Sequence, residues 1–178
     1  MNAIIIYWSG TGNTKKVAET IHETLRNHSV NSLLKRVEEA KDEDLYNYDL
    51  IFLGSPSHTW IPPAPVQKYI TEKLEYYRKR GDVRLCAPKI PGKKGISFVT
   101  YSGPHTGISE AIPAGKYLGQ FLEHLGFDIV AEWYIVGELY GSEENSTKGK
   151  MGDTRGRPNQ EDLENVRRDV IKLLNKCN

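Results

Sequence analysis

The sequence has few cysteines and no excess of charge of one sign. Cys86 and Cys177 are the only cysteines among 178 residues, and no CxxC pair occurs. Neither a disulfide framework nor a cysteine-ligated metal site is therefore expected. Lysine and arginine number 24 against 23 aspartates and glutamates. Because this balance provides no net field to hold a polyanion, dedicated nucleic-acid binding is disfavoured.

Long apolar runs are also missing. No segment approaches the roughly 18 consecutive apolar residues of a membrane span, and residues 1–8 lack the basic leader of a signal peptide. We therefore expect a cytoplasmic protein that does not enter a membrane. A length of 178 residues suits one core, so we expect a single domain over residues 1–178.

Short apolar blocks alternate with segments of helical periodicity along the chain. Blocks of this kind are typical of strands buried on both faces, and they predict strands over residues 3–8, 32–37, 48–54, 95–101 and 127–136. Apolar residues at helical spacing predict helices that begin near Thr14, after Pro63, near Pro113 and after Asn159. Because parallel neighbours need crossover helices, the alternation predicts an α/β fold with a parallel sheet. Residues 137–158 have no apolar period and predict a surface loop.

Three unusual loops follow the predicted strands one, three and four. They comprise residues 9–14, 55–65 and 102–107. In an open parallel sheet, ligands bind beyond the carboxyl ends of the strands, where the strand order reverses. The order 2-1-3-4-5 makes strands one, three and four neighbours, so a single ligand could touch all three loops.

The first loop joins a strand to a helix N-terminus and is rich in neutral hydrogen-bond donors. Unpaired backbone N–H groups and the helix dipole favour an anion there. A P-loop, GxxxxGK[ST], is absent. GxGxxG is absent as well, because Lys15 occupies its third glycine position. The loop therefore predicts a site for a terminal phosphate rather than a dinucleotide; an ordinary tight turn with a capped helix is the alternative.

Aromatic residues lie near the other two loops. Trp60 and His58 belong to the second loop, and Tyr101 ends the fourth strand beside it. Two aromatics could sandwich a planar ring, although Trp60 could instead pack against its own loop. His58 and His105 are candidate acid–base groups, but no carboxylate accompanies them in these loops, so hydrolytic or metal chemistry has no constellation of residues to support it.

The run from Ile4 to Thr14, followed by Val17-Ala18, resembles the signature of the flavodoxin family. The resemblance implies a flavodoxin-like three-layer sandwich with a five-stranded parallel sheet in the order 2-1-3-4-5. FMN binding at the switch point is the known placement for that order. The resemblance implies electron transfer by FMN, with the phosphate in the first loop and the ring between the other two. The implied cofactor-binding residues are Ser9, Gly10, Thr11, Gly12, Asn13, Thr14, Pro56, Ser57, His58, Thr59, Trp60, Thr100, Tyr101, Ser102, Gly103 and His105.

Two further segments resemble the FMN-dependent NAD(P)H:quinone oxidoreductase branch of the superfamily. They are Gly54-Ser55-Pro56-Ser57 and Gly156-Arg157-Pro158-Asn159. The implied partners are a redox protein or a small-molecule acceptor, with NAD(P)H as a candidate donor, and a homo-oligomer is compatible with the sequence. An NAD(P)H-dependent acceptor reductase is the first alternative function. A non-catalytic module that binds a phosphate ligand or a protein is the second.

The sequence departs from the flavodoxin pattern in three respects. Short-chain flavodoxins are typically very acidic, whereas this chain is formally +1, which weakens a role as a general shuttle. Ile61 follows Trp60 where many flavodoxins have glycine. A positive φ at this position would be higher in energy for the β-branched isoleucine than for glycine. A basic cluster, Arg78, Lys79, Arg80, Arg84, Lys89, Lys93 and Lys94, predicts a solvated face or, alternatively, a docking patch for an acidic partner or a nicotinamide phosphate.

Overall fold

A five-stranded parallel sheet organises the protein. The structure is a computed structural model that describes residues 1–177; Asn178, the last residue of the predicted domain, and the side chain of Cys177 lie outside the described part. The strands are β1 (Asn2–Tyr7), β2 (Asn31–Arg36), β3 (Leu50–Pro56), β4 (Lys94–Tyr101) and β5 (Asp128–Val136). The helices are α1 (Asn13–Asn27), α2 (Ala64–Arg80), α3 (Ile112–His124), α4 (Glu143–Lys148) and α5 (Gln160–Cys177).

The predicted strand order is confirmed. The sheet runs β2-β1-β3-β4-β5, and all four neighbouring pairs are parallel. Side chains of α2 and α3 form one core with one face of the sheet, and side chains of α1 and α5 form a second core with the other face. Within β1, Ile4 and Ile6 belong to the first core and Ile5 to the second. Burial on both faces explains why β1 and the first half of β3 are apolar at successive positions.

The predicted start of α5 is also confirmed. The side-chain Oδ1 of Asn159 accepts hydrogen bonds from the N–H groups of Glu161 and Asp162, at 3.0 and 3.1 Å. A carboxylate oxygen of Asp162 accepts in return from the N–H of Asn159, at 2.9 Å. Orphan donors at the helix N-terminus are thus satisfied in both directions.

The segment between β5 and α5 differs from its prediction as a loop, because it contains α4. Ser142 caps this short helix by accepting a hydrogen bond from the N–H of Asn145 at 3.4 Å. Hydroxyl groups hold the helix in place: Ser146 Oγ donates to Leu139 O at 2.6 Å, and Thr154 Oγ1 donates to Ser146 O at 3.2 Å. Because these anchors are polar, the segment has no apolar period by which a helix could be recognised.

None of the helices in the described part of the chain combines the length and the apolarity that crossing a bilayer requires.

Gly54 provides a test of how tightly β3 and β4 pack. A Cβ at Gly54 would lie 2.0 Å from Cζ of the fully buried Phe98, its register partner in β4. We expect Gly54→Ala to lower the free energy of unfolding by about 3 kcal/mol, because overpacking displaces a rigid ring. Urea denaturation measures the change.

Gly119→Ala is the matched control, since a Cβ there would come no closer than 3.8 Å to its neighbours. In the helix α3 this substitution should be neutral or stabilising by up to about 1 kcal/mol. Equal stability of the two variants would contradict the packing argument.

Candidate cofactor-binding site

A cleft of about 240 Å³ lies at the carboxyl ends of the strands. Four loops line it, those that follow β1, β3, β4 and β5. A separate cavity of about 280 Å³ lies between α2 and residues 41–44. It is away from the strand ends and is lined largely by charged side chains, so the cleft is the better candidate for a ligand held by neutral donors.

Most of the residues predicted from the sequence are brought together in this cleft. Those that line it are Ser9, Gly10, Thr11, Asn13, Thr14, Pro56, Ser57, His58, Thr100, Tyr101 and Ser102. The predicted residues that are not part of its wall are Gly12, Thr59, Trp60, Gly103 and His105. The wall also includes four residues that sequence reasoning missed, namely Gly137, Glu138, Leu139 and Tyr140.

The loop after β1 presents the N-terminus of α1 to the cleft. Gly12 is the N-cap residue at φ 99°, a left-handed conformation that suits glycine. Its N–H donates to Ser9 Oγ at 3.1 Å, which leaves the Ser9 hydroxyl proton available to another acceptor. The first turn of α1 contains no acidic residue. Unpaired N–H groups and the helix dipole therefore favour an anion at this end of α1.

Gly10 allows the same loop to pack closely on Trp8. A Cβ at Gly10 would lie 2.9 Å from Cη2 of Trp8. The indole of Trp8 also meets the His58 ring edge-on, with 5.9 Å between the ring centroids. Trp8 therefore packs against the loops after both β1 and β3, a role that the sequence did not predict.

Two threonines join α1 to the end of β4. Thr14 Oγ1 and Thr100 Oγ1 lie 2.8 Å apart, and both residues are at most 2% exposed. One hydroxyl donates to the other, so the pair retains one proton for a further acceptor. The contact fixes the distance between the first loop and the β4 end of the cleft.

Asn13 ties the loop after β1 to the loop after β5. Its Nδ2 donates to Glu138 O at 2.9 Å, and a Cβ at Gly137 would lie 2.8 Å from that nitrogen. Asn13 Oδ1 is buried and has no hydrogen-bond partner in the structure. A buried acceptor without a donor is costly, so this oxygen needs a donor from a ligand or from water.

The loop after β5 is held from its other side by the start of α5. Glu138 N–H donates to Arg157 O at 2.9 Å, and the Arg157 guanidinium forms an ion pair with Asp162. Burial alone would raise the pKa of Asp162, but the hydrogen bonds from Arg157 and from the Asn159 N–H outweigh burial and hold that pKa below its usual value. The carboxylate is therefore ionised at neutral pH and keeps Arg157 in place.

The loop after β3 forms a tight turn with strained central residues. The turn is closed by His58 N–H donating to Ile61 O at 2.9 Å and by Ile61 N–H donating to His58 O at 3.3 Å. Thr59 and Trp60 adopt φ values of 50° and 70°, the type I′ pattern that favours Asn-Gly. The positive φ thus falls on these two residues and not on Ile61. Trp60 is 57% exposed beside the cleft.

His58 is the one ring of this turn that forms part of the cleft wall. The residue as a whole is exposed, but partial desolvation of its ring lowers its pKa from 6.5. The imidazole is therefore neutral at pH 7. It provides an uncharged ring that can form hydrogen bonds with a ligand in the cleft.

Tyr101 and His105 lie differently from the expected ring-binding arrangement. Tyr101 is 7% exposed and packs in the core formed by α2 and α3, where burial raises the pKa of its hydroxyl. The N–H groups of His105 and Thr106 both donate to Glu110 Oε1, at 2.8 and 2.6 Å. These hydrogen bonds are local to the segment that follows β4. The ring of Tyr101 is buried, so Tyr101 and Trp60 do not form the expected sandwich.

The basic cluster lies at the opposite edge of the sheet. Arg80 ends α2, and Lys93 and Lys94 lie at the start of β4, so these residues are near the amino ends of the strands. Much of the cluster is paired with carboxylates: Lys79 with Glu75, Arg80 with Asp44 and Asp82, Lys89 with Asp128, and Lys93 with Asp49. The position favours a solvated face over a docking patch for a nicotinamide phosphate at the cleft.

No three histidine, cysteine, aspartate or glutamate side chains gather into a possible metal site within residues 1–177, as far as these side chains are described.

The donor set of the cleft fits FMN. The N-terminus of α1 and the Ser9 hydroxyl supply donors for a phosphate, and Asn13 Oδ1 can accept from a ribityl hydroxyl. The uncharged His58 ring and the end of β4 border the remaining space. Neutral donors of this kind suit a monophosphate without a metal ion.

The threonine pair generates a testable prediction about stability. We expect Thr14→Val to lower the free energy of unfolding by about 1–3 kcal/mol, because the Thr100 hydroxyl then remains buried without its partner. The double variant Thr14→Val/Thr100→Val should lose clearly less than the sum of the two single changes. Urea denaturation of all four proteins gives the coupling energy, and strictly additive losses would contradict the direct contact.

Comparisons with known proteins show what this chain is similar to. Residues 4–85 match a family described as a flavodoxin domain. An NAD(P)H dehydrogenase (quinone) of Archaeoglobus fulgidus is 24% identical, over 97% of this chain and 93% of its own length. A flavodoxin of Clostridium beijerinckii is 38% identical, over 54% of this chain and 62% of its own length.

Among solved structures, oxidised Flavodoxin 2 from Bacillus cereus superposes with a TM-score of 0.69. The superposition covers 99% of both chains at 20% sequence identity. At that identity the likeness establishes the fold alone. The family match over residues 4–85 contains the loop after β1 and the turn after β3.

Proposed function

We propose that this chain is a flavodoxin-like FMN protein that transfers electrons, and that the cleft at the carboxyl ends of its strands holds the cofactor. Residues 9–14 would bind the phosphate, Pro56 to His58 would border the ring, and Thr100 to Ser102 would form the floor between them. Bound FMN would supply the redox chemistry, since a flavin accepts and releases electrons. The electrons would pass to a redox partner protein or to a small-molecule acceptor. We also propose that residues 1–178 act as one domain.

The observation that carries this proposal is the unpartnered Asn13 oxygen next to the N-terminus of α1. The helix end needs an acceptor, and the asparagine oxygen needs a donor. A phosphate joined to a hydroxyl-bearing chain offers both within one molecule.

Titration of the purified full chain with FMN tests the proposal. We expect a yellow complex with a Kd in the micromolar range or below, followed by its visible absorption spectrum. Asn13→Ala should raise this Kd about tenfold or more, because one lost hydrogen bond of about 1.4 kcal/mol corresponds to a factor of ten.

Asn27→Ala is the control, since Asn27 is exposed at the opposite end of α1. Its FMN affinity should equal that of the wild type. Failure of the wild type to bind FMN would remove the proposed site and leave a phosphate-ligand or protein-binding module as the better hypothesis. An unchanged Kd in Asn13→Ala would place the cofactor elsewhere.

An NAD(P)H-dependent acceptor reductase is the second candidate function. One observation favours it: a relative that matches 97% of this chain is an NAD(P)H dehydrogenase (quinone). Hydride transfer requires the nicotinamide to reach the flavin ring at about 3–3.5 Å. The burial of Tyr101 removes one side chain that would otherwise restrict that approach.

Steady-state oxidation of NADH and NADPH by the FMN complex, with a quinone as acceptor, distinguishes the two functions. A reductase should turn over repeatedly with saturation in the nicotinamide. An electron carrier should show little oxidation until a reductase protein is added. The basic cluster serves as a control, because neutralising Arg78 and Lys79, far from the cleft, should leave either rate unchanged.

A further inference from the structure

The loop after β5 supplies the cleft with an exposed aromatic ring that the family resemblance does not predict. Tyr140 lies in the loop after β5, lines the cleft and is 49% exposed. Tyr101, in contrast, lines the cleft with only 7% of its surface exposed. Trp60 is exposed but is not part of the wall. Tyr140 is therefore the tyrosine with the most ring surface available to a ligand in the cleft.

The backbone that carries Tyr140 is held in place from several sides. Gly137 N–H donates to Tyr101 O at 2.8 Å, and Glu138 O accepts from Asn13 at 2.9 Å. Leu139 O accepts from Ser146 Oγ at 2.6 Å. Gly141 follows with a φ of 89°, in the left-handed region. A loop held in this way loses little backbone freedom when one of its side chains contacts a ligand, which favours binding.

The strand order decides on which side of the cleft Tyr140 lies. β4 lies between β3 and β5. A planar group above the end of β4, at Thr100 to Ser102, therefore has the His58 turn on one side and Tyr140 on the other.

We propose that Tyr140 contacts the flavin ring of bound FMN and takes the role that the family resemblance assigns to Tyr101. This inference rests on the proposed function, because it requires FMN in the cleft. Aromatic rings associate through offset or edge contacts that are favourable beyond the area they bury. The phenol ring of Tyr140 supplies that contact from the β5 side.

Variants of Tyr140 test the proposal through FMN affinity and FMN fluorescence. We expect Tyr140→Leu to raise the Kd for FMN roughly 3- to 10-fold, as the loss of one aromatic contact implies. The emission of bound FMN should rise as well, because a tyrosine in contact with a flavin quenches it by electron transfer. Tyr140→Phe should restore most of the affinity, since the ring is retained.

Tyr76→Leu is the matched control. Tyr76 is also 49% exposed, but it lies on α2 and lines the separate cavity beside residues 41–44. The control should leave FMN affinity and emission unchanged. Trp60→Leu identifies the competing quencher, because a rise in emission in that variant alone would assign the ring contact to Trp60.

The outcomes separate this inference from the proposed function. Wild-type FMN affinity and unchanged emission in Tyr140→Leu would overturn the inference and leave the proposed function intact. Loss of affinity in both Tyr140→Leu and Tyr140→Phe with unchanged emission would also overturn it, because the hydroxyl and not the ring would then matter. Absence of FMN binding in the wild type would overturn both.

Discussion

The parallel sheet constrains everything else in this protein. Parallel strands require a crossover between neighbours, so every loop that follows a strand emerges at the same edge. In this chain four such loops, after β1, β3, β4 and β5, meet in one cleft. The residues that line the cleft therefore come from loops that are distant in sequence. Each helix that covers the sheet also sets the position of one loop.

Hydrogen bonds between these loops make the cleft a single unit. Thr14 bonds to Thr100 across the ends of α1 and β4, and Asn13 bonds to Glu138 in the loop after β5. Arg157 fixes the same loop from the start of α5. Breaking any one of these contacts should therefore change the positions of the other loops. This arrangement joins the four loops through hydrogen bonds and one ion pair.

Charge has a secondary role at the cleft. His58 stays neutral because burial lowers its pKa, and α1 has no acidic residue in its first turn. The basic cluster lies at the other edge of the sheet, where several of its members pair with carboxylates. Electrostatic attraction to a partner at the cleft thus depends on the helix N-terminus and on the cofactor's own charge rather than on that cluster.

The sequence by itself determined the strands, their order through the family resemblance, the α1 N-terminus with its donors and the cap of α5. These features depend on local patterns, such as buried apolar runs and an asparagine before a helix. Only the tertiary structure decided that Tyr101 points into the core, because a strand buried on both faces has no alternation to reveal which face a residue takes. It also decided that residues 137–140 form a wall of the cleft. Their position depends on β5 lying beside β4 and on bonds to Asn13 and Arg157, contacts between residues that are distant in sequence or separated by a long connection.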